Sequence, residues 1–209
     1  MRKESVKKYL MEMMGAMFLV LSISLTGNPI AIGAMYMILV YIGEGVSGGH
    51  FNPAVSLAAF LRGGLLNVRD MWYYILFQVL GGGLAAVLHF VLTGQNYFPQ
   101  PARNVLMWKV FLIELLFTFI LAFAFLAVHV SRRLKGSPVS GLVIGFTLLS
   151  ITYLGGTFNP AVPAGCLLFS YINKGAVMLD ASFKIVMLYV TGSLAGGALA
   201  ALLYQYMND

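Results

Sequence analysis

The side chains with chemistry to offer in this 209-residue chain fall into a pattern that occurs twice. Gly48-Gly49-His50-Phe51-Asn52-Pro53-Ala54-Val55 returns as Gly155-Gly156-Thr157-Phe158-Asn159-Pro160-Ala161-Val162, matching at seven of eight positions with an offset of 107. Proline suits the first turn of a helix, where its missing N–H costs nothing. Asn52 and Asn159 then stand at N-cap positions, where their side chains can cap the turn. A helix N-terminus carries about half a positive elementary charge. A water passing two such ends must accept from the asparagine N–H groups, so its orientation is fixed, while a cation or hydronium meets a positive field. One Asn-Pro-Ala is an ordinary helix start. Two, at a repeat offset inside apolar surroundings, point to paired half-helices.

The rest of the chain must position these two segments, and its composition says in what medium. Sixty per cent of the residues are apolar and 10% charged, with 23 glycines and a mean hydropathy of +0.87. Soluble domains are about 45–50% apolar and about 25% charged. The chain belongs in a bilayer. Its net charge of +6 could hint at nucleic acid in a soluble protein, but the basic residues occupy short breaks between apolar runs, so membrane orientation is the better account and no nucleic acid is expected. One cysteine, Cys166, excludes an internal disulfide. His50, His89 and His129 show no metal-ligand spacing, so neither metal nor cofactor is expected. No pairing of acids, Ser/His or His/Asp suggests an enzyme. The basic start followed by an apolar run resembles a signal peptide, but the run carries Glu12 and ends without a small-residue cleavage site, so it reads as a first span.

A spanning helix needs ~20 mostly apolar residues. Such runs occupy Lys8–Thr26, Pro29–Ser47, Met71–Leu92, Val105–Val130, Val139–Leu154 and Ser182–Met207, which makes six spans. Pro53–Leu61 and Pro160–Tyr171 are too short to cross and each starts at an Asn-Pro, as re-entrant segments do. The sequence therefore predicts an all-α membrane protein with six transmembrane helices and two re-entrant half-helices. Placing the N-terminus in the cytoplasm puts Arg2, Lys3, Lys7, Lys8, Arg62, Arg69, Arg132, Arg133 and Lys135 there, nine of thirteen basic residues. Arg103, Lys109, Lys174 and Lys184 fall outside, and both termini are cytoplasmic. Glu12 and Glu114 repeat at an offset of 102. Three spans and a half-span thus occur twice in one channel domain (1–209), as halves of about 1–98 and 105–209. An odd number of spans per unit makes the second half inverted.

With two Asn-Pro-Ala motifs on opposed half-helices and a glutamate on the first helix of each half, the chain resembles the aquaporin, or major intrinsic protein, family over essentially its whole length. The resemblance implies a passive channel for water and small neutral solutes (glycerol, urea or ammonia), with Asn52, Pro53, Ala54, Asn159, Pro160 and Ala161 excluding ions and protons. It also implies that Glu12 and Glu114 brace the re-entrant loops, and that the chain forms a homotetramer in membrane lipid. The alternative is a structural membrane protein of the same fold that conducts weakly or not at all. Gly15, Gly81, Gly82, Gly83, Gly192, Gly196 and Gly197 read as close-packing sites between helices, and Gln78 as an interhelical hydrogen bonder.

Selectivity in that family is set at four outer positions, which counting from the motifs carries onto Ile32, Thr147, Gly156 and Val162. Aligning Ile144-Gly145 with the family's common Ile-Gly pair instead shortens the stretch before Asn159 and selects a residue other than Thr147. The family's usual arginine is absent: Val162 stands there, so the chain resembles atypical members. An arginine supplies a fixed charge and five donors, and without it the ring is wider, more apolar and less discriminating among neutral solutes. Pro163 stands where glycerol-conducting members tend to carry aspartate. Cys166 lies past the pore-lining position, so mercury insensitivity is expected. Glu44 has two readings, a carboxylate reaching the interface or pairing with a loop arginine such as Arg62, and an inner-vestibule charge that attracts cations or weak bases.

Overall fold

Asparagine before a first-turn proline and glycine after a last turn mark helix ends in this chain, and the backbone follows those marks. The structure, a computed structural model, describes residues 3–101, 105–174 and 179–208. Arg2 and Arg103, used above to orient the chain, lie outside the described residues. The helices are α1 (Lys3–Thr26), α2 (Pro29–Ser47), α3 (Pro53–Arg62), α4 (Val68–Thr93), α5 (Met107–Val130), α6 (Ser140–Thr152), α7 (Ala161–Lys174) and α8 (Leu179–Asn208). Asn28 caps α2 ahead of Pro29, accepting from the Ile30 and Ala31 N–H groups at 2.9 and 3.4 Å. Gly48 ends that helix in the left-handed conformation at φ 92°, which a Cβ would strain.

Each expected span and half-span is helical. α1 and α4 begin earlier than their apolar runs, at Lys3 and Val68, because charged residues at an interface can prolong a helix while their heads stay in water. Five helices, α1, α2, α4, α5 and α8, are long and apolar enough to cross a bilayer among the described residues. The fifth span departs from expectation. α6 has 13 residues, a rise of about 20 Å against a hydrocarbon core of about 30 Å, and turns at 138–139 and 153–154 flank it.

The closest packing joins α1 to α4, α5 to α8, and α2 to α6. Each half-helix packs on the third span of the opposite half, α3 on α8 and α7 on α4. Glycines set these crossings at equivalent places. A Cβ on Gly81 would lie 2.3 Å from the Met13 carbonyl oxygen, and one on Gly196 at 2.3 Å from that of Leu115. Gly82 meets the Ala161 carbonyl at 2.3 Å and Gly197 the Ala54 carbonyl at 2.5 Å. Gly15 lies under the Phe51 ring and Gly192 against Glu114. Gly83 is the correction: a Cβ there would find its nearest neighbour at an ordinary 3.5 Å, because it faces the flexible end of Leu168.

Outward, α4 exposes Trp72, Leu76, Leu80, Leu84, Val87 and Val91, and α5 exposes Leu112, Leu116 and Ile120. Steps of three and four make each set a continuous stripe, suited to lipid and too apolar for water. Most of the described basic side chains, Lys109 and Lys184 excepted, collect at one end of the bundle. Lys8 pairs there with Asp70, which also accepts from Tyr9 Oη and from Asn67 Nδ2. Arg62 lies over the Tyr204 ring, and Arg132, Arg133 and Lys135 follow α5 at the same end.

Candidate functional site

The two half-helices enter from opposite ends and meet by their N-termini. Asn52 Oδ1 accepts from Ala54 N at 2.9 Å and Asn159 Oδ1 from Ala161 N at 3.0 Å, the capping expected of both. Each asparagine then reaches the other loop. Asn52 Nδ2 donates to the Phe158 carbonyl at 2.8 Å, and Asn159 Nδ2 to the Phe51 carbonyl at 3.0 Å. A carboxamide carries two N–H donors, so the cross-tie uses one and leaves one per asparagine. Phe51 and Phe158 sit at φ 50° and 51°, left-handed conformations that cost a bulky residue about 1–2 kcal/mol. That twist turns their carbonyls toward the opposite motif while their N–H groups face a glutamate.

Glu12 and Glu114 receive those N–H groups. Glu12 accepts from Ser47 Oγ at 2.6 Å, His50 N at 3.1 Å, Phe51 N at 2.6 Å and Gln78 Nε2 at 2.7 Å. Glu114 accepts from Thr157 N at 2.5 Å, Phe158 N at 2.8 Å, Ser193 Oγ at 2.8 Å and, more weakly, Thr157 Oγ1 at 3.3 Å. Both carboxylates are fully buried, and burial is tolerable because every bond to them comes from a positioned donor. Gln78 on α4 and Ser193 on α8 do equivalent work.

On the end away from the basic residues, a cavity of about 410 Å³ opens above the motifs. Ile32 and Gly156 line it, together with Thr152, Thr157, Tyr97 and Tyr189. Val162 is buried beneath it against Val20 and Ala85, with Tyr97 packed on that cluster. Thr147 does not join them. It sits mid-helix with its hydroxyl donated to the Val143 carbonyl at 2.7 Å, and Thr152, at the last turn of α6, takes the place by the mouth. The helix runs five residues beyond Thr147 and ends at Thr152, which brings Thr152 to the cavity and leaves Thr147 more than a turn further back. A Cβ on Gly156 would meet the Phe158 ring at 2.3 Å and Glu114 Oε1 at 2.8 Å, so the packing of the braced loop fixes that glycine.

Three placements were not legible in the sequence. His50 holds its loop through both backbone polar groups and one ring nitrogen. Beyond its N–H bond to Glu12, its carbonyl accepts from Tyr36 Oη at 2.7 Å and its Nδ1 lies 3.1 Å from Ser56 Oγ. Its being the one mismatch between the motif copies was the available signal. Tyr97 and Tyr189 reach the mouth from a loop and from α8, and no local pattern marks them. Glu44 accepts from Ser140 Oγ at 2.5 Å and lies 3.6 Å from His129 Nε2. Cys166 is buried against Ala86 and Phe169, away from the cavity lining.

The profile of the family described as Major intrinsic protein matches residues 8–204. Aquaporin TIP1-1 of Zea mays is 31% identical over 173 residues, 81% of this chain and 66% of that protein. Glycerol uptake facilitator protein-like 6 of Lactiplantibacillus plantarum is 32% identical over 189 residues, 79% of this chain and 85% of that protein. The chain thus spans about two thirds of the length of the maize relative. Among solved structures, the aquaglyceroporin from Plasmodium falciparum superposes with a TM-score of 0.82 at 18% identity, covering 96% of both chains. An FNT family ion channel reaches 0.62 at 17% identity, covering 98% of this chain and 90% of that one.

Proposed function

The chain belongs to the major intrinsic protein family, and on that footing we propose that it is a passive channel for water and for small neutral solutes of the glycerol or urea class. The observation that carries this reading is the head-to-head junction, in which Asn52 and Asn159 each cap their own half-helix and tie the opposite loop. The remaining N–H of each asparagine is the donor for a passing water. The two half-helix N-termini repel cations at the same depth.

Ile32, Gly156 and Val162, with Thr152 in place of Thr147, form the outer ring. With valine at 162 in place of an arginine, the polar side chains lining the mouth are neutral: the hydroxyls of Ser24, Thr26, Thr152, Thr157, Tyr97 and Tyr189 and the carboxamide of Gln100. Hydroxyls both donate and accept, so polyols and amides can exchange their hydration there. A glycerol facilitator among the relatives agrees with that chemistry. The halves 1–98 and 105–209 form one domain with cytoplasmic termini, since the basic end of the bundle then faces the cytoplasm, and the chains assemble as a homotetramer with one pore each.

Proteoliposomes given a glycerol osmotic shock and followed by light scattering test the reading. Rapid shrinkage followed by rapid reswelling, both absent from empty liposomes, is expected. Traces matching empty liposomes for glycerol and for an impermeant osmolyte alike would overturn conduction.

A further inference from the structure

Between α4 and α8 the bundle has a seam that its own side chains leave open. Among the described residues these two helices pack on the half-helices α7 and α3, and far less on each other. The gap is a groove of about 430 Å³. Trp72, Ile75 and Val79 wall it on α4, Val190 and Leu194 wall it on α8, and the buried prolines of both motifs, Pro53 and Pro160, form its floor. Its lining is wholly apolar, and Trp72 at its edge is 63% exposed, so the groove opens outward. At bilayer depth the medium that meets such an opening is lipid. A gap left empty there would forfeit the contacts of every atom that lines it.

We propose that this groove seats one acyl chain of an anionic phospholipid, with the headgroup at Arg69. Shape argues for a flexible chain over a second helix. Helices associate in membranes through small residues that let backbones approach, whereas the described lining carries Trp72, Phe60, Leu57 and Leu194 with Ala164 as its one small side chain. Direction agrees: Trp72 to Val79 runs about 10 Å along a spanning helix, the course that a lipid tail takes. Charge selects the lipid. Arg69 is exposed one turn before Trp72, on the same face of α4, and lies over the Tyr73 ring. The neighbouring carboxylate, Asp70, is taken up by Lys8, Tyr9 and Asn67. A basic side chain at the membrane surface favours an anionic headgroup about fivefold.

A tail seated here rests on the two prolines whose neighbouring asparagines tie the motif loops. The bilayer itself then completes the wall behind that junction. The inference rests on the membrane setting and not on conduction. Its test reads lipid contact, so it can fail while the channel reading stands.

The chain's two tryptophans, Trp72 and Trp108, make the test direct. In Trp108→Phe protein reconstituted into phosphatidylcholine vesicles, Trp72 is the sole indole, and chain-brominated lipid quenches it on contact. Half-maximal quenching by brominated phosphatidylglycerol is expected at about one fifth of the mole fraction needed with brominated phosphatidylcholine. Arg69→Gln, a change at an exposed position, should bring the two midpoints together. Ala164→Phe, which fills the groove from α7, should do the same by expelling the tail. Leu84→Trp in protein that also carries Trp72→Phe and Trp108→Phe reports from the exposed α4 stripe beyond the groove, and should show equal midpoints. Equal midpoints at Trp72 before any groove change would mean ordinary annular lipid and overturn the proposal. So would a preference that survives Arg69→Gln, or a Trp72 that neither lipid quenches because a second copy covers it.

Discussion

Removing Asn159 should reveal whether the two motif loops are held by each other. In Asn159→Ala the Ala161 N–H loses its cap, worth about 1 kcal/mol, and the Phe51 carbonyl loses the Asn159 Nδ2 donor across the loops. Losing that hydrogen bond and leaving a buried acceptor unpaired costs about 2 kcal/mol. The sum is about 3 kcal/mol. Asn52→Ala should cost the same, because its cap and its tie to the Phe158 carbonyl are equivalent.

The informative quantity is the double variant. Once one tie is cut, the loops are free to part, and the second substitution then costs little beyond its cap. Asn52→Ala/Asn159→Ala should therefore lose about 4 kcal/mol in place of 6, a coupling of about 2 kcal/mol. Asn28→Ala serves as reference, since Asn28 caps α2 from an exposed position without any cross-tie and should cost only about 1 kcal/mol. Reversible unfolding in mixed dodecyl sulfate micelles, followed by far-UV circular dichroism, gives all four values. Additivity within about 0.5 kcal/mol would refute the argument that the two loops are mutually held.

Val162→Arg places a guanidinium below the 410 Å³ cavity, and glycerol flux in proteoliposomes should fall at least tenfold while water flux falls less; equal loss of both refutes the assignment of the ring. Gly82→Ala drives a methyl to 2.3 Å from the Ala161 carbonyl and should destabilise by about 1–3 kcal/mol, whereas the neighbouring Gly83→Ala has room and should be neutral or stabilising by up to about 1 kcal/mol in the same unfolding assay. Micromolar mercuric chloride should leave water flux unchanged, since Cys166 is buried outside the cavity lining; a block abolished in Cys166→Ser would contradict that placement.

The parts legible in the sequence are those whose causes are local or repeated. Proline after asparagine and apolar run length leave marks within a few residues, so the half-helices, the caps and the span order could be read directly, while the bracing role of the repeated glutamates came from the family resemblance. Glycine at a crossing was readable only in part. Gly81 and Gly82 lie against backbone while Gly83 does not, and that difference depends on which neighbour faces each turn of α4. Thr152 could not be separated from Thr147, because a shortened segment can lose its residues from a helix or from the loop beyond it, and only the helix end decides. The mouth tyrosines and the His129–Glu44 pair come from segments far apart in the chain. Their meeting is a consequence of packing and leaves no periodic trace.

With Val162 where an arginine would stand, the described lining of the mouth holds no guanidinium, which changes where a cation can be rejected. A guanidinium would set a fixed charge at the outer ring and force each water there to accept. The hydroxyls of Thr152, Thr157, Tyr97 and Tyr189 carry no charge and bond in either sense, so they order a passing water weakly and repel nothing. On the channel reading, the whole electrostatic barrier then falls to the two half-helix ends, which together present roughly one positive elementary charge at the junction. That charge keeps its sign and position only while the loops stay in place, and they are held by five hydrogen bonds of their own to Glu12 and Glu114 and by the two asparagine ties. In this chain the same bonds that fold the re-entrant segments therefore carry the ion exclusion that an outer arginine would otherwise share. On the channel reading, the mouth then sorts neutral solutes by size and by its uncharged polar side chains.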